Sequence, residues 1–298
     1  MKLGLALFFF FCFSMVYGQE MKGFLTPEEI ALFYKQGYFL KSKALDPVEM
    51  DRLNENITDM IDRALDQIQK TQDSVSPEEE QFIYIGGSRV VFKRRADQSI
   101  SIARINGCSG MQPALLETAR SKKMVHTFFE LLGTSDLEHL ICQVHPKLPG
   151  DQIAFKRHRD IEFRKSFDPD WQDVLGNGSY AICIIPIDAM TPENGGLWVD
   201  RNNYPEPQGL EEDLIWIHAE PGDLLFMHPY LYHGSGPNLS PTSSRKTLLT
   251  GFCAFGANHR SYPGADVNRH LTLQESQEIM MTMSPWEQEP CAGTMAGH

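Results

Sequence analysis

The chain has 298 residues, 42% of them hydrophobic, which is enough for one large core and at most two domains. Its formal net charge is −12, and its basic runs at residues 93–95 and 156–159 are short and bounded by apolar or acidic neighbours. That argues against a nucleic-acid partner.

Residues 1–19, MKLGLALFFFFCFSMVYGQ, join an early Lys2 to an apolar stretch and end on Gly18 and Gln19. This is the layout of a secretory signal peptide over residues 1–18, and it predicts a secreted or secretory-pathway protein. A start at Met21 is the alternative and would leave the chain cytoplasmic. The apolar stretch is too short for a stable membrane span, and no later segment reaches that length. Beyond the leader, Cys108, Cys142, Cys183, Cys253 and Cys291 are widely spaced without a CxxC, so neither a disulfide scaffold nor structural zinc is indicated. One disulfide stays open. Cys142, Cys183 and Cys253 sit in apolar runs as small buried fillers. Sequons at Asn56, Asn177 and Asn238 would offer glycosylation sites in a secretory chain.

Thr26-Pro27-Glu28-Glu29 is a helix start, with a threonine cap, proline in the first turn and glutamate three residues on. A strand is predicted at residues 38–40. Asp46-Pro47 opens a second helix, whose Met50, Leu53, Ile57, Met60, Ile61, Leu65 and Ile68 keep helical spacing. Residues 71–80, TQDSVSPEEE, read as a solvated loop. Short strands follow at 82–85 and 90–92, then a helix over 113–132. LEHLICQVH at 137–145 alternates as a strand, with His139, Ile141, Gln143 and His145 on one face and Leu140, Cys142 and Val144 on the other. FKRHRDIEF at 155–163 is predicted as a strand. YAICIIPI at 180–187 is another, with Pro186 marking an edge or bulge. Further strands are expected at 197–199, 214–218, 224–227 and 247–255, and residues 279–298 as a loose tail. Helices followed by many short strands predict an α+β fold, with N-terminal helices supporting a jelly-roll core in a single domain over residues 19–278.

Within FKRHRDIEF, His158 and Asp160 are two residues apart and on a strand would point to one face. A third metal ligand is expected from HGSGPN, as His233, with Arg245 twelve residues later. Two histidines and a carboxylate leave positions open on Fe(II) for a chelating cosubstrate and O2. An HxD triplet alone is weak, and a surface salt bridge on a basic strand is its plain alternative. His228 competes with His233, but the glycine-flanked His233 is better placed to approach a metal and His228 belongs in or beside the core. His145, His218 and His259 are read as satisfied or exposed.

The HxD triplet, the turn Glu193-Asn194-Gly195-Gly196-Leu197, the block GDLLFMHPYLYHGSGPN with trailing Arg245, and the N-terminal LTPEEIALFYKQGYFL together resemble the phytanoyl-CoA dioxygenase family of Fe(II)/2-oxoglutarate oxygenases. The likeness covers about residues 24–256. It implies a double-stranded β-helix (jelly-roll, cupin-like) core. It implies iron held by His158, Asp160 and His233, and the distal carboxylate of 2-oxoglutarate held by Arg245. By the same likeness Ser235 assists at that carboxylate and Lys147 contacts the cosubstrate, with Gln143 a weaker candidate of the same kind, and ascorbate is a candidate addition to Fe(II), 2-oxoglutarate and O2. The implied activity is hydroxylation of an unactivated C–H bond in a small-molecule or lipid substrate, with succinate and CO2 as coproducts. The chain departs from the family pattern at residues 199–203, which border the substrate space, and at Ile184, where an aromatic residue is often expected. Those departures and the leader argue against phytanoyl-CoA as substrate. An inactive jelly-roll binding protein is the competing reading. A zinc hydrolase with the same ligands is disfavoured by Arg245 and by the lack of an evident general base. The oligomeric state is left open.

Overall fold

Local capping chemistry starts both N-terminal helices. The Thr26 side chain accepts from the Glu29 amide while the Glu29 carboxylate accepts from the Thr26 N–H, so α1 (Pro27–Gln36) begins as expected. β1 (Tyr38–Lys41) follows, and Asp46 caps α2 (Pro47–Lys70), whose buried stripe includes Met50, Leu53, Ile57, Met60, Ile61 and Ile68. The computed structural model describes residues 22–71, 79–206 and 213–288. The expected leader, Cys291 and the end of the expected tail lie outside them.

β2 (Gln81–Ile85), β3 (Ser88–Arg94) and β4 (Ile100–Asn106) form an antiparallel meander. The single helix expected over 113–132 is instead α3 (Leu115–Ala119) and α4 (Lys122–Leu132). The break falls at Arg120 and Ser121 because the Ser121 side chain accepts from the Met124 amide and starts a new helix there. The remaining elements are β5 (Asp136–Lys147), β6 (Phe155–His158), α5 (Asp160–Phe167), β7 (Tyr180–Pro186), β8 (Leu197–Asp200), β9 (Leu214–Trp216), β10 (Leu224–Met227), β11 (His233–Ser235), β12 (Arg245–Ala254), β13 (Arg269–Leu273) and β14 (Ile279–Met283).

Ten strands form one sheet, in the order β1-β10-β7-β12-β5-β4-β3-β2, with β13 and β14 added beside β5. The other sheet is β6-β11-β8-β9. The two sheets face each other as a double-stranded β-helix, and the helices cover the outer face of the larger one. Alternation along β7 shows the layering: Ala181, Cys183 and Ile185 join the helix-side core, while Tyr180, Ile182 and Ile184 join the core between the sheets. The helix-side core is aromatic where α4 docks. Phe128 lies with its ring centre 4.4 Å from that of Phe252 and 6.0 Å from that of Phe226.

Several expectations need correction. Pro186 is the last residue of β7, and β7 is a central strand between β10 and β12; at a strand's end a proline forfeits only a terminal ladder bond. In β5 the pairing with β12 shifts between Gly251 and Phe252, skipping Leu140. This bulge sends Leu140 to the inter-sheet core with Ile141, while His139 turns to stack on Phe252 at 4.5 Å. Residues 279–283 are a strand and not a loose tail, because all five pair with β13 although Met280, Met281 and Met283 stay exposed. Asn238 is fully buried, and its Nδ2 donates to the carbonyls of Lys147, Leu148 and Ser243, so this sequon is closed to glycosylation in the fold. Cys108, Cys142, Cys183 and Cys253 are buried free thiols, with the sulfurs of Cys108 and Cys142 3.2 Å apart.

Candidate metal centre and cosubstrate pocket

The strand expected over 155–163 stops at His158, and Asp160 opens α5. His158 and Asp160 therefore converge through a strand-to-helix turn and not along one pleated face. The Arg159 Nε donates to Glu162 at 2.9 Å across this turn, and the Ile161 amide donates to the Pro229 carbonyl at 3.1 Å. That second bond ties the start of α5 to the segment leading into β11. There His233 pairs in register with His158 on one side and Val199 on the other.

Each histidine is oriented by its own backbone. His158 Nδ1 donates to the Lys156 carbonyl at 2.6 Å and His233 Nδ1 to the Leu231 carbonyl at 3.0 Å, which leaves both Nε2 atoms free. These Nε2 atoms lie 3.8 and 3.7 Å from Asp160 Oδ1. Ligand atoms of all three side chains lie within 4.8 Å of one another, and they are the one such His/Cys/Asp/Glu group among the described residues. Burial holds His233 down to about 4, so it presents a neutral imidazole lone pair. Two imidazoles and one carboxylate converging from one side fit Fe(II) with open positions opposite.

The antiparallel register of β12 and β5 sets Arg245 directly against Lys147. The Lys147 ammonium donates to Ser235 Oγ at 2.7 Å, to the Gly195 carbonyl at 3.3 Å and to the Gly236 carbonyl. Arg245 donates through Nε to Gly195 O and through Nη1 to Thr247 Oγ1, each at 3.2 Å. Both cations are buried, and no carboxylate of the described residues lies within 4.0 Å of either. Burial, with the neighbouring Arg245 charge, pushes Lys147 down to about 6, and burial lowers Arg245 to about 10. Two adjacent desolvated basic groups whose opposite charges, Asp151 and Asp188, act only from beyond 4.0 Å are costly by themselves and suited to a carboxylate. Gly195 makes the cradle possible: its φ is +76°, and a Cβ there would come within 2.7 Å of the Gly236 carbonyl oxygen.

Gln143 lies on the same face of β5, four residues before Lys147, and its Nε2 meets His145 Nε2 at 3.1 Å. Among the described residues no hydrogen bond joins it to Arg245 or Ser235. His145, read from sequence as a bystander, lines the site. Its ring stacks on Phe155 at 5.0 Å, and burial together with the charges of Arg245, Arg104, Lys147 and His158 pushes it well below the usual histidine range. The signal available in the sequence was its period-two spacing with Gln143 and Lys147. His228 is buried among Phe33, Tyr34, Tyr204 and Tyr230, with ring centres 5.2 to 5.7 Å away, as expected. His218 is exposed, and His259 sits beside Asp168 at 4.0 Å.

Solved structures share this fold at low sequence identity. EctD from S. alaskensis, solved with 2-oxoglutarate and 5-hydroxyectoine, superposes with a TM-score of 0.61 at 14% identity, over 85% of this chain and 84% of that one. The epimerase SnoN, in complex with Fe3+, alpha ketoglutarate and nogalamycin RO, gives 0.52 at 13% identity over 76% and 82% of the two chains. AviO1 from Streptomyces viridochromogenes Tue57 gives 0.53 at 16% identity over 78% and 96%. No curated protein matches the sequence. The sequence model described as phytanoyl-CoA dioxygenase (PhyH) matches residues 33–247, a span that runs from α1 through the metal ligands to β12. That match holds α2 to α5, β1 to β11 and the whole metal triad, and the chain belongs to the phytanoyl-CoA dioxygenase family.

Proposed function

We infer that this protein is an Fe(II)- and 2-oxoglutarate-dependent dioxygenase that hydroxylates an unactivated C–H bond of a small-molecule or lipid substrate, with succinate and CO2 as coproducts. The observation that carries this reading is the conjunction of the His158, Asp160 and His233 cluster with the buried Arg245 and Lys147 pair, which no carboxylate of the described residues approaches within 4.0 Å. His158, Asp160 and His233 would hold the iron, and when bound, iron and 2-oxoglutarate supply the oxidising chemistry. Arg245 and Lys147 would clamp the distal carboxylate of the cosubstrate. Ser235, whose hydroxyl can donate as well as accept, would complete the clamp. Gln143 and His145 would border the chelating end from β5. Ile141, Ile182, Ile184 and Leu249 line the inter-sheet core and exclude water from the reacting centre. The leader at residues 1–18 would route the enzyme through the secretory pathway.

The test is an anaerobic titration with Fe(II) and 2-oxoglutarate, following the weak visible absorption of the chelate. Wild type should develop the band, His158→Ala should lose it, and Arg245→Ala should require at least tenfold more 2-oxoglutarate. A correctly folded wild type without the band would move the assignment to a binding protein that keeps only the fold.

A further inference from the structure

Arg164 lies one helical turn beyond Asp160 on α5 and is only 7% exposed. Its Nη2 donates to the Tyr262 hydroxyl at 2.9 Å, and its guanidinium carbon lies 4.6 Å from the centre of the Tyr262 ring and 5.4 Å from that of Tyr180. No carboxylate of the described residues is within 4.0 Å of it. The Asp160 carboxylate acts on it from further away, and that charge is committed to the metal triad. Burial penalises this cation, Tyr262, Tyr180 and the more distant Asp160 offset the penalty, and the share from Asp160 falls once that carboxylate binds metal.

The neighbouring polar atoms are unsatisfied in the same sense. Arg164 Nε, the Tyr180 hydroxyl and Trp171 Nε1 are all sealed from solvent without a hydrogen-bond partner. The rings of Trp171 and Tyr180 are 6.0 Å apart, and the Tyr180 hydroxyl overlies Gly251, where a Cβ would come within 2.9 Å of it. Arginine and tryptophan N–H groups can only donate, and the tyrosine hydroxyl can. Donors gathered round a cation match an oxyanion. One guanidinium among neutral donors balances a single negative charge, which favours a carboxylate over a phosphate dianion.

Strand register separates this cluster from the cosubstrate pocket. On β12, Arg245 pairs with Lys147 at one end, whereas Cys253 pairs with Tyr180 at the other. Asp160 acts electrostatically on Arg164 and Tyr180, and His158 acts on His145 beside Lys147. Arg164, one helical turn from Asp160, and the Arg245 and Lys147 pair therefore lie toward opposite ends of β12, and 2-oxoglutarate accounts for the latter.

We propose that Arg164, Tyr180 and Trp171 form a substrate-side pocket for a carboxylate, so that the C–H bond attacked belongs to an organic acid. This rests on the oxygenase reading and adds the substrate class to it. The anaerobic Fe(II)/2-oxoglutarate complex of the full chain is titrated with sodium hexanoate and, in parallel, with the length-matched neutral 1-hexanol, following the chelate band. Hexanoate should perturb the band saturably and hexanol should not. Arg164→Met should weaken hexanoate at least tenfold while changing the 2-oxoglutarate requirement less than twofold. Tyr180→Phe, which removes only a hydroxyl, should weaken hexanoate several-fold. A normal chelate band that hexanoate leaves unchanged, or equal hexanoate affinity in wild type and Arg164→Met, overturns the pocket and leaves the oxygenase intact, with Arg164 then serving to anchor α5. Failure of the wild type to form the band overturns both.

Discussion

Lys147 is the residue at which burial and function are most directly coupled. Near neutrality its lowered value, about 6, keeps much of Lys147 uncharged, whereas a bound carboxylate favours the ammonium. Cosubstrate binding should therefore take up a proton and weaken as pH rises above about 6. Calorimetric titration with 2-oxoglutarate in buffers of different ionisation enthalpy is expected to show that uptake at pH about 7.5, and Lys147→Met to abolish it and weaken binding roughly tenfold. Uptake that persists in the variant would reassign the proton. The sign for stability follows from the same depression. Folded Lys147 binds fewer protons than the unfolded chain between about 6 and 10.5, so its contribution makes the ligand-free protein less stable as pH falls through that window. At this scale the metal ligands were legible because their residue types and spacing are distinctive. His145 was not, since its period-two spacing with Gln143 and Lys147 fits the buried face of a core strand as well as a site.

Short elements place the ligands, and one of them tolerates no side chain at its centre. β11 holds His233 and Ser235 on either side of Gly234, and a Cβ on Gly234 would lie 2.3 Å from Trp198 Cζ2 and 2.8 Å from the Phe155 carbonyl oxygen. Gly234→Ala should force β11 away from β6 and β8. We expect a destabilisation of about 1–3 kcal/mol and at least a tenfold loss of Fe(II) affinity, measured by thermal melts and metal titration. Unchanged metal affinity would show that β11 can shift without carrying His233 off its position. α5 illustrates the limit of reading elements locally. FKRHRDIEF alternates well enough for a strand, and Arg159 is not among the residues that favour a helix cap, so nothing local announced the helix at Asp160. What ends the strand is tertiary: the Ile161 amide is held by Pro229, a residue 68 positions away that sits just before β11.

Across the whole molecule, a buried carboxylate beneath the C-terminal hairpin links stability to pH. Glu138 is fully buried on β5, accepts from Ser284 Oγ at 2.8 Å and Asn258 Nδ2 at 3.1 Å, and is raised to about 7 by burial. Its folded value lies above its unfolded one, so folding takes up a proton. The stability this contributes is fully present below about 4.5 and is lost as pH rises through 7. Glu138→Gln should remove that slope, leaving stability near wild type at pH about 5 and raising it above wild type at pH about 8.5, by up to about 3 kcal/mol. Urea melts at the two pH values check this, and a variant less stable than wild type at the higher pH would contradict it. The hairpin itself escaped the sequence because β14 is exposed and has no apolar alternation, and its backbone pairing with β13 is what orders it. By itself the sequence determined the α+β class, the capped N-terminal helices and the types of the metal ligands, because caps, periodicity and side-chain chemistry act over a few positions. Only the tertiary structure decided how Asp160 turns into the site, that Lys147 and Arg245 meet across paired strands, and that Arg164 is buried toward the other end of β12. Register and burial are set between segments remote in the chain, where no local pattern records them.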